Sequence, residues 1–222
     1  MPQLIAMIVV IVVAMVYMFQ TFGGTGDKIE AVAQKSVIFT EINNIKTGIS
    51  LANKSKAIEN DAGTHPKRSQ TLEGLASLGY FDSLINSQIL NSLDNDGDTT
   101  NDQYNRYKAI SFGGSTATGN ADLEISLVVP LDADNLTTDR PGIFVKIQER
   151  LNGVKDFLEV QMAADLEDIA YVDSNATVDT DRTIFDTNGT FDSQKTGHTD
   201  TGTDTDGMFT IYFKDIPAGS IK

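Results

Sequence analysis

The chain has 222 residues and 24.0 kDa, with 31 acidic against 17 basic side chains, a formal net charge of −14, and neither Cys nor Trp. A charge this negative repels phosphate backbones, and no basic run is longer than Lys67-Arg68, so nucleic-acid binding by the head of the molecule is not expected. Thiolate chemistry and disulfides are excluded, and with only His65 and His198 the usual His-based catalytic pairs and zinc sites have almost nothing to draw on.

Residues 1–26 carry no charged side chain, and Leu4 to Phe22 is nearly continuously apolar. As a helix this stretch measures roughly 28 Å, the hydrocarbon thickness of a bilayer. It fits a cleavable secretory signal poorly, because no basic region precedes it and no small-x-small site closes it. Only Met1, Pro2 and Gln3 stand before the apolar run, where an inserted anchor normally shows Lys or Arg, so either a basic leader has been removed ahead of Met1, which is the expectation, or the sequence is an unusual precursor.

Ile38, Ile42, Ile45, Ile49 and Ala52 then recur at spacings of four and three, so residues 27–56 read as an amphipathic helix with one buried stripe. With the apolar segment it forms a rod of about 80 Å if continuous. Gly23, Gly24 and Gly26 weaken the joint by roughly 1 kcal/mol each relative to Ala. Residues 27–68 carry a net charge of +2 and residues 69–222 one of −16, so rod and head differ in sign. The domain reading is 1–26 apolar helix, 27–56 amphipathic helix, and 57–222 globular head with acidic loops.

In the head, Gln70 to Leu93 reads as two short helices broken near Gly79, the second capped by Asp82. Tyr107–Phe112 and Leu123–Val129 read as strands, the second by alternation. Asp139–Leu151 has helix-start signals, Pro141 near the first turn and Ile143, Ile147 and Leu151 at fourfold spacing, so it reads as a helix. Phe157–Met162, Leu166–Val172 and Met208–Phe213 read as strands, with Phe209, Ile211 and Phe213 on one face. The fold class is α+β, an antiparallel sheet laid against the amphipathic half of a long N-terminal helix.

This layout resembles a type IV pilin, and the size and the expected helix between sheet strands resemble the type IVb branch. The sequence-specific part of the likeness is Met1 to about Asn53. The resemblance implies an inner-membrane-anchored precursor with a methylated amine at Met1. An assembly machinery would then pack its N-terminal helix with copies of itself into a cell-surface filament for adhesion, motility, DNA uptake or conjugation. The assembly residues it implies are Met1, Gln3, Ile5, Val9, Val12, Val16, Gly23, Gly24 and Gly26. Two positions depart from the family: Ile5 stands where a glutamate is usual, leaving Gln3 to offer a neutral hydrogen bond, and the usual C-terminal disulfide is absent. The C-terminal region is therefore expected to be fastened by packing, ions or sugars. An archaeal pilin or archaellin would share the rod but carry a β-sandwich head, against which the helical signals argue.

Asp94, Asp96, Asp98 and Asp102 place carboxylates at relative positions 1, 3, 5 and 9 of a loop, the alternation that turns oxygens toward one Ca²⁺. Thr99 and Asn105 occupy the places where an EF-hand has Gly and Glu, and the same run also reads as an ion-free Asp/Asn/Gly turn. Asp200, Asp204 and Asp206 offer a second, weaker site in a Thr/Asp/Gly-rich stretch that reads equally as a surface loop. Asn-x-Ser/Thr sequons occur at Asn53, Asn135, Asn175 and Asn188. Asn175 and Asn188 also have an acidic residue two places earlier, and are the glycosylation candidates. No catalytic residue stands out, so an enzyme is not expected. Beside the filament subunit stands a second reading, a monomeric membrane-anchored binding module whose acidic loops use calcium to hold a ligand.

Overall fold

The computed structural model describes residues 30–59, 68–91, 105–114, 121–129, 140–178, 184–185, 191–192, 206–219 and 221. Helix α1 occupies residues 30–54. Its Ile38, Ile42, Ile45, Ile49 and Ala52 are all fully buried, joined by Ala31, so the apolar stripe read from spacing is the stripe that packs. The helix stops by a left-handed turn at Lys56, φ 54°. There the Ala57 N–H reaches back to Ala52 O (2.9 Å) and the Lys56 N–H to Asn53 O (3.0 Å), satisfying carbonyls that would otherwise be orphaned.

Helices α2 (Leu72–Ser77) and α3 (Ser83–Asn91) follow. Thr71 caps α2 by accepting from the Gly74 N–H at 3.1 Å. Gly79, at φ +80°, ends it with the same back-bonded turn, Tyr80 N–H to Leu75 O and Gly79 N–H to Ala76 O. Asp82 caps α3, its Oδ1 accepting from the Leu84 N–H at 3.0 Å. The break and the cap both stand where the sequence places them.

Strands β1 (Tyr107–Lys108), β2 (Leu123–Val128), β3 (Gly142–Ile147), β4 (Ala170–Asp173) and β7 (Met208–Phe213) make one sheet in the order β1-β2-β3-β7-β4, with every neighbouring pair antiparallel. Strands β5 (Ile184–Phe185) and β6 (Phe191–Asp192) pair separately. Strand β1 is shorter than its expectation, because Ile110–Phe112 turns into a single 3-10 turn. Leu123, Ile125, Leu127, Ile143, Val145, Ile147, Phe209, Ile211 and Phe213 share one core cluster with the α1 stripe. The architecture is thus α+β, with the sheet laid on the amphipathic helix. The sheet's other face is also buried, through Val128, Phe144, Tyr212, Thr210 and Asp173, with Ala176 completing a small second cluster.

Three readings of the sequence between residues 139 and 172 are corrected. Asp139–Leu151 is not a helix: Gly142–Ile147 is β3, in the middle of the sheet, and only Glu149–Leu151 makes a 3-10 turn. Fourfold spacing of Ile143 and Ile147 is also twofold spacing once Val145 is counted, and a run buried on both faces carries no polar alternation to distinguish the two. Phe157–Met162 is not a strand but lies in α4 (Lys155–Leu166). Its buried Leu158, Met162 and Leu166 are four apart, and an apolar window that ends at Met162 stops before this helical repeat completes. The strand expected over Leu166–Val172 shrinks to β4, since Leu166 belongs to α4.

Candidate functional site

Helix α1 follows in sequence the apolar segment to which the resemblance would give assembly, and its polar side chains divide sharply by direction. Between residues 31 and 53 only Lys35, Glu41 and Lys46 are charged, and all three turn toward the head. Lys35 Nζ pairs with Asp165 of α4 at 2.6 Å, and Lys46 Nζ with Asp215 at 2.7 Å while lying 4.3 Å from the centre of the Phe213 ring. Glu41 is buried. Its Oε2 accepts from the Tyr107 hydroxyl at 2.7 Å and its Oε1 from the Ser111 N–H at 2.9 Å, tying α1 to β1 and the 3-10 turn behind it. Burial, and then the bond to Glu41, raise the Tyr107 hydroxyl well above its ordinary pKa.

Close contact with the α2–α3 connection comes through Gly48. A Cβ there would overlap the Phe81 ring, so the helix can approach this turn only where it lacks a side chain.

The C-terminal segment is fastened to the same helix. Asn53 is fully buried and its Nδ2 donates to Pro217 O at 2.9 Å. Ile216 and Ile221 are in the core, and the Lys46–Asp215 pair flanks them. Packing, one buried amide and one ion pair therefore hold this end of a chain that has no disulfide. The same burial removes Asn53 as a glycan acceptor in the folded protein.

The outward side of α1 is different in kind. Val32, Ala33, Ser36, Val37, Thr40, Asn43, Asn44, Thr47 and Leu51 are its nine exposed positions between residues 31 and 53, and none is charged. The Thr40 and Thr47 hydroxyls donate to Ser36 O (3.0 Å) and Asn43 O (2.8 Å) of their own helix.

Of the residues singled out from sequence, Met1, Gln3, Ile5, Val9, Val12, Val16, Gly23, Gly24 and Gly26 lie outside the described residues. So do Asp94, Asp96, Asp98, Asp102, Asp200, Asp204 and Asn188. Asp206 is described: its Oδ1 accepts from the Met208 N–H at 2.8 Å, the entry to β7. Beside it the Gly207 N–H donates to Glu159, a buried carboxylate of α4, at 2.7 Å. Asn175 sits half-buried in the turn after β4, where its N–H donates to Asp173 Oδ1 at 3.1 Å. The acidic residue of that sequon is thus a buried turn-former. Among the described residues no group of three or more potential metal ligands comes together, and no helix is long and apolar enough to cross a membrane.

Glu41 and Glu159 escaped sequence reading. Each is an acidic residue in a helix, four places after Val37 and Lys155 respectively, and its burial is decided by a partner far along the chain. The one local hint for Glu41 is its place between Ile38 and Ile45, on the apolar side of the wheel.

Searches against protein-family models, curated proteins and solved structures found no match.

Proposed function

We propose that this protein is a pilin-like structural subunit of an extracellular filament of type IV pilus kind, assembled by packing of its N-terminal helices. The observation that carries the reading is the role of α1. Its buried stripe forms the floor of the head's core, and the sequence ahead of it includes 26 residues without a charge. A head built on this helix cannot shift relative to α1 without opening its own core. A segment apolar on all faces is stable in lipid or inside a bundle of like helices, because its backbone is hydrogen-bonded internally in both settings. Contacts between unlike faces that do not close into a ring then propagate as a fibre. Ca²⁺ at Asp94, Asp96, Asp98 and Asp102 would relieve the repulsion of an acidic exterior.

Electron microscopy of material sheared from the cell surface, with mass spectrometry of the same fraction, tests the reading. The expected result is a thin filament in which this chain dominates. Val12→Glu should abolish it while the head stays folded. If the chain instead stays in the membrane fraction without filaments, and Val12→Glu only weakens its retention there, the tethered binding module replaces the filament subunit.

A further inference from the structure

We propose that Asn152-Gly153, in the turn between β3 and α4, is a site of spontaneous covalent modification, where the asparagine loses its amide and becomes aspartate or isoaspartate. The chemistry is intramolecular. The Gly153 backbone nitrogen attacks Cγ of Asn152 and gives its proton to solvent, while the Cγ–Nδ2 bond breaks and ammonia leaves, so a five-membered imide forms. Water then adds to one of the two imide carbonyls. Opening at Cγ restores the main chain and leaves aspartate; opening at the main-chain carbonyl leaves isoaspartate, through whose side chain the backbone then runs. Only this turn and water take part, so the change does not depend on filament assembly.

The two reacting groups are both exposed and both unheld. Asn152 is tied through its N–H to Glu149 O at 3.1 Å, and no described residue holds its side-chain amide. The turn's bonds run from the Leu151, Asn152 and Val154 N–H groups, and the Gly153 N–H bonds to no described residue. Nor does the fold demand a glycine here. No atom lies within 4 Å of where a Gly153 Cβ would stand, and its φ is outside the left-handed region. The missing side chain therefore serves to leave the nitrogen open to approach. At φ −55° and ψ −33° Asn152 must swing its ψ before the ring can close, which breaks two surface bonds of a single short turn. Glu149, at φ 52°, strains that turn from within, so opening it relieves strain.

The Asp206-Gly207 pair has the opposite arrangement. Its Gly207 N–H donates to the buried Glu159 carboxylate at 2.7 Å, Asp206 Oδ1 accepts from the Met208 N–H at 2.8 Å, and a Cβ on Gly207 would meet Ile147 O. The same ring closure is blocked there. At Asn152 the product carboxylate arises just ahead of α4, whose N-cap, Val154, has no side-chain oxygen for the first N–H groups. Aspartate suits that positive helix end, whereas isoaspartate adds a methylene to the main chain that enters the helix.

The test uses the full chain, purified in detergent and kept in mildly alkaline buffer. Samples taken over weeks are digested and mapped by mass spectrometry, with isoaspartate scored by enzymatic methylation, and a urea-unfolded sample serves as reference. The expected result in the folded protein is exchange of amide for carboxyl at Asn152, with isoaspartate in excess over aspartate and none at Asp206. In urea both positions should react. Gly153→Ala should slow the change at Asn152 about tenfold, while its thermal unfolding stays that of the parent, since the added methyl meets nothing. An Asn152 that reacts only in urea would overturn the proposal, because the folded turn would then be keeping the ring from closing. Equal rates in the parent and in Gly153→Ala would overturn it as well, since ammonia would be leaving by direct hydrolysis and not through the Gly153 nitrogen.

Discussion

On one side of α1, Ile38, Ile42, Ile45 and Ile49 are excluded from water and three charged groups reach past them to Asp165, Tyr107 and Asp215. On the opposite side Val37, Thr40, Thr47 and Leu51 face solvent with no charge among them. A helix on the rim of an acidic soluble domain would ordinarily reverse the second half of this arrangement, keeping its charges outward where water solvates them. Here charge has been withdrawn from the exposed side and used as fastening on the buried one. The inner side holds the molecule together and the outer side takes no part in that hold, so substitutions on the two sides should differ sharply in what they cost the fold.

The largest effect is expected at the centre of the inner stripe. Ile45→Ala removes three methyl or methylene groups from a fully buried position and should destabilise the head by about 2–5 kcal/mol, lowering the midpoint of chemical unfolding at unchanged slope. Thr47→Ala, two residues along and on the outer side, should stay within about 0.5 kcal/mol of the parent. Equal losses at the two positions would remove the distinction between the sides.

Next comes the Glu41 latch. Glu41→Ala leaves the Tyr107 hydroxyl and the Ser111 N–H facing the core without their acceptor, each worth about 1–3 kcal/mol. Adding Tyr107→Phe should recover part of the loss, a non-additivity that a double-mutant cycle reads directly. The latch also has a pH signature. The neutral Tyr107 hydroxyl is favoured in the folded state, with its pKa raised above the ordinary 10.0. Its contribution is therefore complete below pH 10 and is lost as pH rises above that, because the unfolded state releases the proton first. Alkaline destabilisation should be shallower in Tyr107→Phe than in the parent; identical alkaline limbs would show that the hydroxyl is not held as described.

Of comparable or smaller size is Gly48→Ala, whose methyl would run into the Phe81 ring and force the α2–α3 turn off the helix, for about 1–3 kcal/mol. An exposed Gly at mid-helix would give the opposite sign, since Ala is the better helix former by about 1 kcal/mol.

What could be read from sequence follows the range over which each signal acts. The α1 stripe was legible because five apolar positions repeat over about four turns, and α2, α3 and β7 because Thr71, Gly79, Asp82 and the Phe209-Ile211-Phe213 alternation are local. β3 was misread because Pro141 and the Ile143–Ile147 interval mimic a helix start in a strand buried on both faces. α4 was misread because Phe157 to Met162 is apolar enough for a strand until Leu166 completes the repeat. The Glu41 latch left only its place between Ile38 and Ile45 as a mark, since its partners stand 66 and 70 residues away. The acidic loop at Asp94 and the apolar segment, where most candidate residues lie, fall outside the described residues.

The smallest expected effect concerns the border between the two sides of α1. Lys46 stands there, its ammonium 2.7 Å from an Asp215 carboxylate that is largely open to water and 4.3 Å from the Phe213 ring. An exposed pair of this kind contributes about 0–1 kcal/mol and is screened by salt, while the ring contact adds about 0.5–1 kcal/mol. Lys46→Met keeps the stem that packs on Phe213 and removes the charge, so its deficit should be about 1 kcal/mol in dilute buffer and should shrink in 1 M salt as the parent loses its pair. A deficit that ignores salt would assign the contribution to the ring. A loss several times larger would mean that the ion pair, rather than Ile216, Ile221 and the Asn53 amide, is what keeps the C-terminal segment on the helix, and the inner side of α1 would then owe its hold to charge more than to packing.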